Sequence, residues 1–274
     1  MELSKEKQEL LNKIDEYEEK GLFDVDVYED PIAPTLLPED ADYLCEKTSN
    51  KIKMKIANFL ADNYFKKQIK KGNLIIDGIE NEHILKDALK NGAIITCNHF
   101  NESDNYIIYH CIKKYLPKKY LYKVIREGNY TNFPGLFGFF FKHCNTLPLS
   151  SNKKTMIMFL SSVNKLLTRG ESILIYPEQA MWWNYKKPRP FKIGAFKMAV
   201  KANVPVVPLF ISMKDDNKVD KDGYPLQRHT LHVLNPIYPD SSANKAVEAE
   251  NMKNKAYNQC KEKYEQVYQK ELTY

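Results

Sequence analysis

Short runs of apolar and β-branched residues alternate with segments of helical periodicity over most of the chain. Seven such runs predict strands, at residues 74–79, 93–97, 121–126, 146–149, 172–176, 204–211 and 231–234. Helical periodicity separates most of them, at residues 81–90, 103–116, 155–168 and 191–201. Because strands that alternate with helices usually form parallel sheets, the pattern predicts an α/β fold with a largely parallel or mixed sheet flanked by helices.

Helices are also predicted at both ends of the chain. Residues 1–20 are predicted to form a polar helix, and residues 243–270 a charged one. Residues 21–48 contain three prolines and are predicted to form an irregular acidic arm. Residues 50–71 place six apolar side chains on one side of a helix, namely Ile52, Ile56, Phe59, Leu60, Tyr64 and Phe65. We therefore divide the chain into a helical N-terminal extension, residues 1–72, and an α/β domain, residues 73–274.

The composition of the 274 residues is that of an ordinary globular protein, with 43% hydrophobic and 28% charged residues. The longest run without a charge, residues 128–141, is too short to cross a bilayer. The first twenty residues are too charged for a secretory signal, and the five widely spaced cysteines form no metal-binding pattern. These features predict a cytoplasmic protein without a bound metal.

The charge is unevenly distributed along the chain. Residues 1–48 hold five lysines against 15 acidic residues, whereas the rest holds 36 basic and 20 acidic residues. A body this basic favours an anionic partner, and no nucleic-acid-binding motif is present. The helix at 50–71 carries seven lysines, so two interpretations stay open: it lies on an anionic membrane surface, or it docks on the domain.

The residues with the clearest chemistry follow the predicted strand at 93–97. His99 and Asp104 would lie on different faces of a continuous helix, so they can meet only if His99 lies in the preceding turn and Asp104 in the first helical turn. A carboxylate beside an imidazole fixes its tautomer and makes it a general base that activates a hydroxyl. The alternative is a histidine in a βα turn beside an acid that caps the helix.

Three further blocks follow this pair in the chain. Residues 176–178 (Tyr-Pro-Glu) end a strand, residues 192–195 (Lys-Ile-Gly-Ala) begin a helix, and residues 204–209 form a strand that contains two prolines. With Asn98, His99 and Asp104 they stand in the order of a known signature: N-H-x-x-x-x-D, then P-E, K-x-G and V-P-V-V-P. The sequence resembles the glycerolipid acyltransferases, that is, the lysophospholipid and 1-acylglycerol-3-phosphate acyltransferases, over about residues 73–212.

The resemblance implies the transfer of a fatty acyl chain from acyl-CoA or acyl carrier protein to a hydroxyl of a lysophospholipid or glycerol-phosphate acceptor. It implies His99 as the general base and Asp104 as its orienting partner, together the catalytic pair. We expect no cofactor beyond the acyl donor. We also expect peripheral association with the inner face of a membrane, because the acceptor is a lipid.

Two arginines of the family pattern are missing here. The third family block, F-P-E-G-T-R, ends here in Gln179, Ala180 and Met181, and serine stands where the second block usually ends in arginine. The family arginines are associated with the acceptor phosphate, so a non-phosphate lipid acceptor is an alternative, as is a catalytically silent lipid-binding relative. We predict Glu178 to position the acceptor. We predict an anion-binding role for the cations that follow it, Lys187, Arg189 and Lys192; the alternative is a solvated basic face.

The aromatic run at residues 133–141 also has two interpretations. It lines a tunnel for the acyl chain, or it packs in the core.

Overall fold

The computed structural model describes residues 3–28 and 33–274. Residues 1–2 and 29–32, which belong to the predicted first helix and acidic arm, lie outside the described residues. The strands are β1 (Ile75–Glu80), β2 (Ala93–Thr96), β3 (Leu121–Ile125), β4 (Thr146–Pro148), β5 (Ser172–Ile175), β6 (Val206–Val219) and β7 (Pro225–Val233). The helices are α1 (Lys5–Glu19), α2 (Thr48–Lys71), α3 (Leu85–Ala88), α4 (Asp104–Ile112), α5 (Glu127–Thr131), α6 (Gly135–His143), α7 (Lys153–Thr168), α8 (Gly194–Ala202) and α9 (Lys245–Tyr268).

The seven strands form one mixed sheet in the order β1-β7-β6-β2-β5-β3-β4. Every neighbouring pair is parallel except β6 with β7, which form an antiparallel hairpin. The predicted fold class is therefore confirmed, including the helical N-terminal segment. The division into two parts at residue 72 stays a prediction.

The central strands are apolar because helices cover both of their faces. All four residues of β2 and of β5 are buried. Successive side chains of β2 point to opposite faces: Ile94 packs with one core cluster and Ile95 with the other. Because β2 and β5 are buried on both faces, their positions are fixed, and so are the positions of the residues that directly follow them.

Glycine is required immediately before β2. Gly92 has a φ of +86°, and a Cβ at this position would lie 2.7 Å from the carbonyl oxygen of Leu167 and 2.9 Å from that of Glu171. A larger residue would push the start of β2 away from β5.

The structure corrects some details of the sequence-based assignment. The helix expected at 81–90 is only a 3₁₀ turn, Glu82–Ile84, followed by the single turn of α3. Strand β6 runs on to Val219 through a polar segment, because its outer half is exposed and pairs only with β7. The aromatic run contains a short helix, α6, that was not expected.

Helices α2 and α6 pack against each other, and each exposes large apolar side chains. Phe59 of α2 is 66% exposed, and Phe133, just before α6, is 46% exposed. The two helices meet where the rings of Tyr64 and Phe137 lie 5.5 Å apart between centroids. We call this the α2–α6 surface; its other exposed apolar residues are Ile52, Ile56, Leu60 and Leu136. Neither interpretation of the aromatic run anticipated this exposure. Among the described residues no helix has the length and apolar character needed to cross a bilayer.

Candidate active site

His99 and Asp104 meet at the carboxyl end of β2. His99 lies in the turn and Asp104 begins α4, so the imidazole Nδ1 is 2.6 Å from the Asp104 Oδ2. Asp104 is fully buried, whereas the His99 side chain is 19% exposed. Because the carboxylate only accepts, Nδ1 carries the hydrogen and the Nε2 lone pair is left to take a proton. Within residues 3–28 and 33–274, Nε2 has no hydrogen-bond partner.

Tyr176 completes the surroundings of the pair. β5 is the parallel neighbour of β2, so the residue after β5 stands next to the His99 turn. The Tyr176 ring stacks on the imidazole with centroids 4.0 Å apart, and its hydroxyl donates to the Asp104 Oδ1 at 2.7 Å. Burial, and then the charge of Asp104, raise the pKa of Tyr176 well above its ordinary value. The hydroxyl therefore stays protonated and holds the carboxylate in place.

Asn98 anchors the turn to the opposite neighbour of β2. Its side-chain amide accepts from the Ile211 N–H at 2.8 Å and donates to the Ile211 carbonyl at 3.0 Å. This buried amide joins the chain after β2 to β6 beyond their last paired residues, Thr96 and Pro208. The turn that carries His99 is thereby held from both sides, by β5 and by β6.

Glu178 and Arg189 form a buried ion pair beneath the turn. Both side chains are 1% exposed, and Arg189 Nη2 lies 2.7 Å from Glu178 Oε2. Glu178 also accepts the backbone N–H groups of His99 at 3.0 Å and of Arg189 at 2.9 Å. Arg189 further donates to the carbonyl of His99 at 3.1 Å. With these bonds made, neither side chain is exposed to bind a substrate, so the geometry does not support the substrate contacts predicted for them.

The two predicted lysine ligands also have partners within the chain. Lys187 is paired with Glu18, and Lys192 lies 2.7 Å from Asp24. Both carboxylates come from the N-terminal part of the chain, and sequence reasoning had not connected that part with this loop. Substrate binding by the two lysines stays a prediction that this pairing does not favour.

Both ends of the described chain close over the loop between β5 and α8. The Trp182 Nε1 donates to the Val25 carbonyl at 2.8 Å. The Tyr274 hydroxyl donates to the Pro188 carbonyl, and its ring lies 4.5 Å from that of Phe23. The loop is therefore covered by segments that are distant in the sequence.

Sequence reasoning singled out His99, Asp104 and Glu178 and missed the roles of Asn98 and Tyr176. Asn98 directly precedes His99, and Tyr176 lies two residues before Glu178; each follows closely on a buried strand. Their position was a usable signal, because polar groups at the carboxyl edge of a parallel sheet converge on one place.

Comparison with known proteins agrees with this geometry. A family model, Acyltransferase, matches residues 76–212, half of the chain. The fold is similar to the crystal structure of PlsC, the 1-acyl-sn-glycerophosphate (LPA) acyltransferase of Thermotoga maritima. The TM-score is 0.55 at 16% identity, over 84% of this chain and 87% of that one. No curated protein matches the chain.

The matched segment runs from β1 to the middle of β6 and contains the His99 turn, Asp104 and the loop that starts at Tyr176. The chain belongs to the acyltransferase family, and it is an acyltransferase.

Proposed function

We propose that this acyltransferase moves a fatty acyl chain from a thioester donor, acyl-CoA or acyl carrier protein, to a hydroxyl of a lysolipid. The observation that carries the proposal is the His99–Asp104 pair, with Nδ1 held at 2.6 Å and Nε2 left to act at the edge where an α/β sheet collects its ligands. The glycerophospholipid acceptor named for PlsC of Thermotoga maritima supports a lipid acceptor.

In the proposed reaction His99 acts as the general base. Its Nε2 removes the proton of the acceptor hydroxyl, and the oxygen attacks the thioester carbonyl. The C–S bond then breaks, the ester forms, and the proton on Nε2 passes to the departing thiolate. Asp104 stabilises the imidazolium that exists between the two transfers. The chain has no G-x-S-x-G segment, which favours direct transfer without an acyl-enzyme.

The remaining residues of the site position the base. Tyr176 holds the second oxygen of Asp104 and stacks on the imidazole, and Asn98 fixes the start of the turn. The Glu178–Arg189 pair binds the backbone of His99 at both its N–H and its carbonyl. In this proposal His99 contacts the substrate. Tyr176, Asn98, Glu178 and Arg189 keep the imidazole of His99 in one orientation.

The α2–α6 surface supports peripheral binding to a membrane. Three lysines surround its exposed apolar residues on the first half of α2, at positions 51, 53 and 55. Apolar side chains enter the acyl boundary of a bilayer while lysines contact anionic head groups. We propose that the protein works on the inner face of a membrane in the cytoplasm, and that it uses no cofactor besides the acyl donor.

The enzymatic proposal is tested by incubating the purified protein with acyl-CoA or acyl carrier protein and a panel of lysolipids, and identifying the products by mass. We expect an acylated lipid and release of the donor thiol in equal amounts. A His99→Ala protein purified in parallel controls for contaminating host enzymes. Absence of transfer from both donors to every acceptor would contradict the proposal and favour a silent lipid-binding protein.

Membrane binding is tested by sedimentation with anionic vesicles. We expect Ile56→Ser with Phe59→Ser to reduce the bound fraction at least threefold, because about 1.5–3 kcal/mol is available from each large apolar side chain. The matched control is Ile157→Ser with Val247→Ser, which removes two exposed apolar residues of α7 and α9. Equal loss of binding in both proteins, or none in either, would contradict the assignment to the α2–α6 surface.

A further inference from the structure

Each lysine and arginine between Tyr176 and Ile193 is paired with a carboxylate of the chain. This loop follows β5 and lies beside His99. The pairs are Lys186 with Asp215 at 2.9 Å, Lys187 with Glu18, Arg189 with Glu178 at 2.7 Å, and Lys192 with Asp24 at 2.7 Å. A cation whose charge is already matched attracts an anionic ligand much less than an unmatched one. The basic stretch that the sequence shows is therefore neutralised in the folded protein.

The N-terminal segment, residues 18–26, supplies two of these four carboxylates, Glu18 and Asp24. Besides Glu18 and Asp24 it contributes Asp26, whose carboxylate pairs with Arg126 at the end of β3. Asp26 also accepts the backbone N–H of Met181 at 3.1 Å. Three carboxylates of one short segment thus meet Arg126, just after β3, and two lysines of the loop between β5 and α8.

The segment is fixed in this position by backbone contacts. The Arg189 Nη1 donates to the carbonyl of Phe23 at 2.8 Å, and the Trp182 Nε1 donates to that of Val25 at 2.8 Å. Trp182 is fully buried, and its ring stacks with that of Phe23 at 5.9 Å. The carboxylates are therefore held in fixed positions against the loop that follows β5.

A further carboxylate lies at the same edge of the sheet. Glu127, just after β3, accepts the Ser150 hydroxyl at 2.9 Å and the backbone N–H of Leu36 at 2.6 Å. Burial opposes its charge, but these hydrogen bonds outweigh burial and lower the pKa of Glu127. With Glu178 and Asp104 it adds negative charge near cations that are already paired, so a phosphate there would find little unmatched positive charge among the described residues.

We infer that the acceptor carries its reacting hydroxyl on an uncharged polyol head group, glycerol or sugar, and that Glu18, Asp24 and Asp26 exclude a phosphate from this site. The inference rests on the proposed acyl transfer and selects one of its acceptor classes. An uncharged polyol needs only hydrogen bonds to be positioned, whereas a phosphate would have to displace the carboxylates that now hold the cations.

The test compares two acceptors with the same acyl chain, 1-acylglycerol and 1-acylglycerol 3-phosphate, in uncharged detergent micelles with one donor. We expect kcat/KM for the neutral acceptor to exceed that for the phosphate acceptor at least tenfold. A variant with Glu18→Gln, Asp24→Asn and Asp26→Asn should shift the ratio of the two kcat/KM values at least tenfold toward phosphate, because the cations released from these carboxylates can then make charge-assisted contacts with it.

The matched control is Glu6→Gln, Asp15→Asn and Glu19→Gln, which removes the same charge from acids of α1 that none of these ion pairs uses. Its ratio should stay that of the wild type. The single variant Asp24→Asn keeps the test valid if the triple variant does not fold, because the Asp24–Lys192 pair is half-exposed (47% and 46%). We expect it to shift the ratio about threefold.

Three results would overturn the inference. The first is a wild-type protein that prefers the phosphate acceptor or uses both acceptors equally well. The second is a folded variant of the three acids whose ratio of kcat/KM values equals that of the wild type. The third is a control variant whose ratio shifts as much as that of the acid variant. Transfer to neither acceptor would instead contradict the proposed function itself.

Discussion

Two histidines associated with the same sheet, His99 and His232, each place Nδ1 next to a carboxylate oxygen. For His99 the partner is Asp104 at 2.6 Å, and for His232, on β7, it is Glu80 at 2.7 Å. The second nitrogen distinguishes them. Nε2 of His232 lies 2.8 Å from the hydroxyl of Ser212, and the side chain is only 3% exposed.

The difference shows that a histidine–carboxylate pair alone does not make a general base. His232 lies within a strand, with both nitrogens engaged, and ties β1, β7 and β6 together. His99 follows a strand, and Nε2 remains available at the edge of the sheet. We expect the first arrangement to stabilise the fold and the second to perform chemistry.

The largest expected effect is that of His99→Ala on catalysis. We expect kcat/KM for acyl transfer to fall by about 10²–10⁴, because the general base is lost. The melting temperature should fall less than in His232→Ala, because Asp104 keeps its hydrogen bonds from the Tyr176 hydroxyl and the Phe100 N–H. The matched His232→Ala protein should keep kcat/KM within about threefold at a temperature where it is folded. Equal losses of activity in the two variants would remove the distinction.

Asp104 and Glu80, the carboxylate partners of the two histidines, allow a second comparison. Asp104→Asn should lower kcat/KM at least tenfold, since the neutral amide orients the imidazole poorly and does not stabilise imidazolium. Glu80→Gln should leave transfer within about twofold, because Glu80 ends β1, which runs antiparallel to β2, and so lies at the opposite edge of the sheet from the His99 turn. Full activity of Asp104→Asn would contradict the role given to Asp104.

The two histidine variants should rank in the opposite order when their stabilities, rather than their activities, are compared. We expect His232→Ala to lower the free energy of unfolding by about 1–3 kcal/mol, because it leaves the buried hydroxyl of Ser212 without its partner. Urea unfolding followed by circular dichroism measures this difference. A larger loss in His99→Ala than in His232→Ala would reverse the assignment of structural and chemical roles.

Tyr176→Phe tests the group that holds Asp104. The variant keeps the stacked ring and loses one hydrogen bond to a carboxylate, so we expect kcat/KM to fall about three- to tenfold. The fall should appear in kcat rather than in KM, because Tyr176 holds the catalytic pair and is not assigned a contact with the substrate. A purely structural role would change stability and leave kcat in place.

The smallest effect concerns pH and stability. Burial lowers the pKa of His232 below its ordinary 6.5, although Glu80 opposes the shift. The unfolded chain therefore binds the proton more readily, so the stabilisation is complete above about pH 6.5 and is lost as the pH falls. Unfolding free energies at pH 7.5 and 5.5 should differ less in His232→Gln than in the wild type. If the difference between the two pH values is the same in both proteins, His232 does not contribute to the pH dependence of stability.

Much of the fold could be predicted from the sequence because its signals are local. All seven strands overlap predicted runs, and His99 and Asp104 meet in the expected turn. The ion pairs of Lys187 and Lys192 could not be predicted, because nothing in the spacing connects Glu18 or Asp24 with a loop far along the chain. The exposure of Phe133 was missed for a related reason, since an aromatic run looks the same in a core as on a surface.

The contacts of Tyr274 with Phe23 and Pro188 have a consequence for biosynthesis. On the ribosome, β2, β5 and the His99 turn can assemble before α9 emerges. The loop beside His99 gains the cover of Tyr274 only after residue 274 has also emerged. Replacing Tyr274 would therefore disturb the site more than its distance from His99 in the sequence suggests.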